Sequence, residues 1–162
     1  MKAVSNVLST VNHFRESIPV DVEGLALALG IKVRKAYLSD NISGMIRKVK
    51  EGFEITVNAR HPETRQRFTL AHEIGHYVLH RSLMGDGNVD DRAYRSDGSV
   101  QNNCIGPREE TEANKFAANL LMPSEAIKKL RADGIDTPAK MAYLLKVSEG
   151  AMRIRLGLKQ AD

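Results

Sequence analysis

The sequence predicts an α+β domain in which helices flank a small three-stranded sheet. Its 162 residues suit a single domain with a sizeable core, and its composition, 42% apolar and 27% charged, is that of an ordinary globular protein. The third observation is the order of the periodic segments along the chain: two helices, three short strands, and then helices again. Helices that flank one small sheet make an α+β fold.

The N-terminal part contains the predicted strands. Apolar residues at helical spacing predict a helix over 3–16 and another over 20–30, which stops at Gly30. The three short strands follow at 31–38, 43–50 and 53–58. Glu51 and Gly52 predict a tight hairpin between the last two strands.

The C-terminal part is predicted to be helical around one long polar loop. A helix begins at Pro62, and the polar stretch 82–107 is interpreted as a loop of a length that is often functional. Further helices are predicted near 108–121, 124–132, 138–145 and 149–157. Residues 1–132 then form the main domain, and residues 133–162 form a helix-turn-helix-like pair that packs on it.

Charge and cysteine content narrow the class of protein. The net charge of +4 is mild and the lysines and arginines are scattered, so composition alone does not imply nucleic acid. A single cysteine, Cys104, excludes an internal disulfide and fits a reducing compartment. Residues 1–18 lack the continuous apolar core of a signal peptide, and no run is apolar enough to span a membrane. We therefore expect a cytoplasmic protein with no membrane partner.

The stretch 69-TLAHEIGHYVLH-80 carries the strongest functional signal. His72 and His76 are four residues apart and face the same side of a helix, so their imidazoles can bind one cation. Glu73 is turned about 100° around the helix axis from His72, so its carboxylate lies beside such an ion without coordinating it. There it can take a proton from a metal-bound water, whose pKa zinc lowers from roughly 15.7 to about 7. Gly75 costs about 1 kcal/mol in a helix interior, which predicts that another segment approaches its backbone closely.

Other residues near this motif are weaker candidates. His80 continues the row, but its Cα lies about 12 Å from that of His72 at the helical rise, so we expect an indirect or capping role. Cys104 could bind zinc as a thiolate, although an incidental loop cysteine is the simpler interpretation. Tyr77 or Tyr94 could donate a hydrogen bond to an oxyanion, and nothing in the sequence places either phenol.

A third metal ligand is expected from the helix near 108–121, and the residues themselves leave its identity open. The helix offers three carboxylates: Glu109, Glu110 and Glu112. Its apolar face centres near Ala113 and Leu120. Glu109 falls about 40° from Ala113 and Glu112 about 100° away, so burial alone favours Glu109. A first-turn glutamate is also explained by the helix dipole, and a catalytic metal needs one open side, which favours Glu112.

The segments RFTLAHEIGHYVLH and EANKFAANLLMP, separated by the polar loop, together resemble the ImmA/IrrE metallopeptidases, a zincin-like group. The resemblance covers roughly residues 20–125. It implies a zinc-dependent endopeptidase of the HExxH type that cleaves transcriptional repressors of the helix-turn-helix class. It further implies that His72, His76 and Glu112 bind Zn²⁺ and that Glu73 is the catalytic base.

A substrate site is also predicted beside the sheet. The strand 53–58 shortly precedes the motif helix and alternates in character, so we expect it to form a sheet edge near the metal. An extended peptide could add to this edge through main-chain hydrogen bonds and present its scissile carbonyl to the zinc.

The C-terminal pair keeps a second function class open. Residues 138–157 resemble a helix-turn-helix, and Arg153 and Arg155 could reach phosphates or bases. A pair that simply closes the core is the favoured interpretation, ahead of contact with DNA. The alternative function is a DNA- or protein-binding regulator whose metal site is structural or vestigial. The intact Glu73 favours the enzyme, because a structural site needs no base beside its ligands.

Overall fold

The computed structural model describes residues 2–84, 94–95 and 105–159. Its helices are α1 (Lys2–Phe14), α2 (Val22–Ala28), α3 (Glu63–His80), α4 (Pro107–Leu121), α5 (Ser124–Ala132), α6 (Pro138–Leu145) and α7 (Glu149–Arg155). Its strands are β1 (Ile31–Ala36), β2 (Gly44–Val49), β3 (Gly52–Asn58) and β4 (Tyr94–Arg95). One turn of 3-10 helix, Arg81–Met84, extends α3. The predicted helices and strands are confirmed to within about two residues at each end.

The sheet has the strand order β1-β3-β2-β4, with β1 parallel to β3 and the other pairs antiparallel. The predicted three-stranded sheet is therefore confirmed. The two-residue β4 adds to it by pairing with Met45 and Ile46. β4 falls within the predicted loop 82–107, most of which lies outside the described residues.

The prediction that residues 53–58 form a sheet edge is wrong. β3 lies between β1 and β2 and pairs with both of them along its length. The last four residues of β3, 55–58, are all buried, which is the pattern of a strand covered on both faces. Alternation in the sequence could not reveal this, because it reports the face that a residue occupies and not the strands that lie alongside.

α3 runs through the centre of the core. Leu70 and Ile74 of this helix lie in the same buried hydrophobic cluster as Ile46 and Ile55 of the sheet. Neither α3 nor any other described helix is both long and apolar enough to span a lipid bilayer.

Gly44, at the start of β2, allows α3 to approach the sheet closely. A Cβ at this position would lie 2.6 Å from the carbonyl oxygen of Thr56 and 2.6 Å from Cγ2 of Thr69. Real side chains do not tolerate such contacts, so glycine is required here. Because Thr69 belongs to the same turn of α3 as His72, this contact also sets the distance between the sequence motif and the sheet.

The connection between β1 and β2 is organised by one buried side chain, Asn58. Its Oδ1 accepts hydrogen bonds from the backbone N–H groups of Leu38 and Arg60, at 3.2 and 3.0 Å. Its Nδ2 donates to the carbonyl oxygens of Ser39 and Ile42, at 3.0 and 2.8 Å. A buried amide with these bonds satisfied holds the loop in one conformation and so positions the start of β2.

The C-terminal helices α6 and α7 contribute to the same core. Three of their residues are fully buried in the common cluster: Met141, Leu145 and Met152. Arg67 of α3 donates to the carbonyl oxygens of Lys146 and Val20, at 3.1 and 3.0 Å, and so joins both ends of the described chain to the central helix. The division of the chain into units 1–132 and 133–162 stays a prediction.

Candidate metal centre

One face of α3 buries the functional side chains that the sequence predicts. His72, Glu73, His76 and His80 are each at most 4% exposed. The four-residue spacing places the three histidines along one side of the helix. Buried imidazoles need polar partners, and those partners come largely from α4.

His72, His76 and Glu110 bring their donor atoms together. His72 Nε2 and His76 Nε2 are 3.1 Å apart. Glu110 Oε1 lies 2.8 Å from His76 Nε2, and Glu110 Oε2 lies 3.5 Å from His72 Nε2. Within the described part of the chain, this is the one group of histidine, cysteine and acidic side chains compact enough to hold a metal ion.

The spacing of these atoms fits a metal ion. Zinc with bonds of about 2.0–2.1 Å places its tetrahedral ligands about 3.3 Å apart, close to the separations seen here. Glu110 Oε1 is buried and makes no hydrogen bond of proper geometry with a described residue, although His76 Nε2 lies near it. Two imidazole nitrogens and a carboxylate oxygen that converge on one point are the donor set of a metal site, so these residues fit a divalent cation.

Glu110 reaches α3 because α3 and α4 approach each other closely at Gly75. A Cβ on Gly75 would lie 3.0 Å from Cδ1 of Phe116 and 3.3 Å from Cα of Ala113. The sequence prediction of a close approach to this backbone is confirmed, and the approaching segment is α4. Glu110, which precedes Ala113 by one helical turn, then faces the histidines.

The structure does not bring Glu112, the predicted third ligand, to this cluster. Glu112 Oε2 lies 3.0 Å from His80 Nε2, and Glu112 Oε1 accepts a hydrogen bond from Arg108 Nε at 2.8 Å. Glu109, the alternative, accepts a backbone N–H at the N-terminus of α4, at 3.0 Å. Glu110 occupies the position beside His72 and His76 instead.

The pattern of α4 contains a signal for Glu110. Glu110 lies three residues before Ala113 and eleven before Leu121, so all three lie on one side of the helix. A face centre placed near Ala113 and Leu120 does not point to Glu110. However, α4 also buries Ala117 and Leu121, which lie on the same side of that centre as Glu110. The buried face as a whole is therefore rotated toward Glu110 and away from Glu109 and Glu112.

Each clustered imidazole is also held through its second ring nitrogen. His72 Nδ1 lies 2.8 Å from Asn114 Oδ1, so Nδ1–H donates to the amide and Nε2 keeps its lone pair toward the cluster. His76 Nδ1 lies 3.0 Å from Nδ1 of His80. This contact supports the indirect role expected for His80.

Glu73 is fully buried next to the cluster. Neither of its carboxylate oxygens has a hydrogen-bond partner among the described residues. Burial raises the pKa of Glu73 to about 8, with His72 opposing the shift and the negative charge of Glu110 adding to it. A buried carboxyl without a partner is costly for stability, and a strongly shifted pKa is typical of functional sites.

The electrostatics of the cluster favour a positive charge. Burial would raise the pKa of Glu110, but its contacts with His72 and His76 lower the pKa to about 2. Burial lowers the pKa of His76, which keeps that imidazole neutral. Burial also opposes protonation of His72, but its hydrogen bond with Glu110 and the charge of Glu73 raise the pKa of His72 overall. An ionised carboxylate beside two imidazoles thus attracts one proton or one metal ion.

The other sequence candidates lie elsewhere. Tyr77 directs its hydroxyl toward the carbonyl oxygen of Leu29, at 3.5 Å, and its ring packs on Phe53 with the centroids 5.2 Å apart. Tyr77 therefore does not face the cluster. Cys104 and the side chain of Tyr94 lie outside the described residues.

Two adjoining depressions lead away from the cluster. The first, here called the metal cleft, is a cavity of about 190 Å³ lined by residues that include Ser43, Arg65, Phe68, His72, Glu110 and Asn114. The second, here called the α7 groove, is a cavity of about 570 Å³ lined by residues that include Lys115, Met122, Ala151 and Ile154. Phe68 and Asn114 line both, so the two cavities adjoin at these residues.

Comparison with known proteins gives a family. The family model Peptidase_M78, described as the IrrE N-terminal-like domain, matches residues 26–157. The match covers most of the chain and includes the sheet strands β1 to β3 together with α3 and α4. No curated protein matches the sequence.

Glu110→Ala should lower the affinity for zinc at least about 100-fold, because it removes a ligand and even the loss of an outer partner costs about 10–100-fold. Glu109→Ala, in the same turn of α4, should leave the affinity unchanged. Competition with a chromophoric chelator measures both affinities, and circular dichroism checks that each variant is folded. Wild-type zinc affinity in folded Glu110→Ala would contradict the assignment.

Proposed function

We propose that this chain, which belongs to the Peptidase_M78 family, is a zinc-dependent endopeptidase of the HExxH type that cleaves a helix-turn-helix transcriptional repressor or a similar regulatory protein. The observation that carries the proposal is the convergence of His72, His76 and Glu110 beside the buried carboxyl of Glu73. Three donors for one ion and a free carboxyl next to them are the groups that metal-assisted peptide hydrolysis requires.

The donor set supports zinc as the metal. Two imidazole nitrogens and one carboxylate match the ligands of catalytic zinc sites, which leave a fourth position open to water or substrate. The metal cleft reaches His72 and Glu110 and so gives access to such a position. Glu112 is left out of the proposed ligand set, because its oxygens are used by His80 and Arg108.

The chain's own residues support a hydrolytic mechanism. A zinc ion held here would lower the pKa of a coordinated water and polarise the carbonyl of the scissile peptide bond. Glu73 would accept a proton from the attacking water at a carboxylate oxygen and return it to the leaving amine nitrogen. Burial raises the pKa of Glu73 far above that of an ordinary carboxyl, and a cation bound beside it would lower this pKa and so favour the ionised form that accepts a proton. Asn114 holds His72 in the tautomer whose Nε2 can bind the ion.

The metal cleft and the α7 groove support a polypeptide substrate. They adjoin at Phe68, so a polypeptide could contact the metal cleft and the α7 groove at the same time. Ile154 of α7 lines the α7 groove and is 67% exposed, although it is a large apolar side chain. An extended peptide segment could bury Phe68 and Ile154 while its scissile bond lies beside the proposed metal ligands.

The contacts of α7 favour the peptidase over the alternative, a DNA-binding regulator. Arg155 donates to the carbonyl oxygen of Met122 and to Ser124 Oγ, both at 3.0 Å. Arg153 donates to the carbonyl oxygen of Lys159 at 2.8 Å. Both guanidinium groups therefore make hydrogen bonds within the fold, so a structural role of α7 accounts for these two arginines without contact to DNA.

The substrate class follows from the resemblance to the ImmA/IrrE peptidases. We place the protein in the cytoplasm, as the sequence predicts from its single cysteine, Cys104. A substrate of this kind would make the peptidase a regulator of transcription, because a cleaved repressor would no longer repress its target genes.

Glu73→Gln should retain both the fold and the metal but lower the rate of cleavage by about 10²–10⁴-fold, the usual contribution of general acid–base catalysis. The change removes the proton acceptor without removing a ligand. Co-expression of wild type and variant with helix-turn-helix repressors of the same cell, followed by intact-mass analysis, measures the cleavage.

Metal analysis of the same variant separates the possible causes of a lost activity. Loss of metal from Glu73→Gln would put Glu73 among the ligands, and cleavage at the wild-type rate would contradict its role as base. If metal-loaded wild type leaves every repressor intact, the substrate class is wrong while the metal site is untouched.

Ile154→Glu should raise KM for the protein substrate roughly tenfold, because burying an isoleucine side chain contributes about 1.5–3 kcal/mol. The kcat for a short peptide that spans only the cut should stay unchanged, because that peptide ends before α7. Tyr143→Glu is the matched control: Tyr143 is also exposed on the C-terminal pair but does not line the α7 groove. Equal KM values for wild type and Ile154→Glu would exclude this groove from the substrate path.

A further inference from the structure

Three residues around the proposed metal site have no role as ligand or base: His80, Glu112 and Arg108. His80 is only 3% exposed, although it lies in the last turn of α3. A histidine at this end of a helix is often explained by the helix dipole or by capping of the last carbonyl groups. Here both ring nitrogens of His80 face side chains instead, so capping does not explain its position.

These residues form one chain of hydrogen bonds that ends on His76. Arg108 Nε donates to Glu112 Oε1 at 2.8 Å, and Glu112 Oε2 lies 3.0 Å from His80 Nε2. His80 Nδ1 lies 3.0 Å from His76 Nδ1. These hydrogen bonds therefore link a half-buried carboxylate to a fully buried imidazole of the metal cluster.

The chemistry of the chain assigns its protons. An ionised carboxylate only accepts hydrogen bonds, so His80 Nε2–H donates to Glu112 and Nδ1 of a neutral His80 is an acceptor. With a metal ion held in the cluster, His76 Nε2 would keep its lone pair for that ion and His76 Nδ1–H would donate to His80. This is the tautomer in which His76 can bind a metal ion through Nε2.

We infer that His80 and Glu112 are positioning residues that fix His76 in its metal-binding tautomer and strengthen its Nε2 as a donor. The inference rests on the proposed metal site but not on the proposed peptidase activity. His72 is held in the same way by the neutral amide of Asn114, whereas His76 is held by a carboxylate acting through a second imidazole. Outer partners of this kind orient a ligand ring and raise its basicity, which increases metal affinity.

Two substitutions of Glu112 separate the hydrogen bond from the charge. Glu112→Gln keeps an acceptor for His80 but removes the charge, and it should weaken zinc binding about tenfold. Glu112→Leu removes both and should weaken zinc binding about 100-fold, the upper end of the effect of losing an outer partner. The Glu112 side chain is 39% exposed, so both variants are expected to fold. Zinc affinity of the full chain is measured by chelator competition, and the melting temperature of the metal-free protein by circular dichroism.

Glu109→Gln is the matched control, because it removes the same charge from the same turn of α4 without touching His80. Its zinc affinity should equal that of wild type.

Unchanged zinc affinity in both Glu112 variants would overturn the inference. An equal loss of affinity in Glu109→Gln and Glu112→Gln would also overturn it, because that result would indicate a general effect of charge. If the metal-free Glu112 variants have a lower melting temperature but unchanged zinc affinity, these hydrogen bonds have only a structural role, and the inference is overturned as well. If wild type binds no zinc, the metal site itself is wrong, and this result is distinct from a failure to cleave a repressor.

Discussion

The candidate site depends on the close approach of α3 and α4 at Gly75. Without a Cβ at this position, Phe116 and the backbone of Ala113 can lie against α3, and the buried face of α4 continues with the small Ala117. Glycine in a helix interior costs about 1 kcal/mol relative to alanine, and the neighbouring small residues compensate by allowing dense helix packing. The contact of the Glu110 carboxylate with both imidazoles therefore depends on the short distance between the two helices.

This approach explains why one short segment of α4 serves all three buried histidines of α3. Glu110 lies beside His72 and His76, Asn114 accepts from His72, and Glu112 bonds to His80. Residues 110–114 thus supply the negative charge of the cluster and two of the groups that orient its rings. The remaining boundary of the site is set from the sheet side, where the glycine that starts β2 allows α3 to lie close to the strands.

Much of this arrangement could be predicted from the sequence, because the segments are strongly periodic and the motif is compact. The helix that carries His72, Glu73 and His76 is recognisable from its spacing alone, and Gly75 correctly indicates a close neighbour. These predictions use information within one helix, where geometry is fixed by the backbone.

The predictions that do not match the structure concern relations between elements. The sequence centres the apolar face of α4 near Ala113 and Leu120, and the choice between carboxylates one and two positions apart turns on a rotation of about 100° per residue. Residues 53–58 likewise alternate in character, but this pattern does not show where the strand lies in the sheet. After the hairpin, this strand, β3, inserts between β1 and β2. The rotation of a helix and the order of strands in a sheet depend on tertiary packing. The apolar pattern of a single segment restricts them but does not determine them.

The central claim is that His72, His76 and Glu110 hold one metal ion between α3 and α4. A crystal structure of the zinc-loaded protein, with anomalous scattering recorded on both sides of the zinc absorption edge, tests it most directly. The claim predicts one anomalous peak about 2.0–2.2 Å from the two Nε2 atoms and the Glu110 carboxylate, with Glu112 still bonded to His80. A peak coordinated by Glu112 or His80, or the absence of any peak between these two helices, would contradict it.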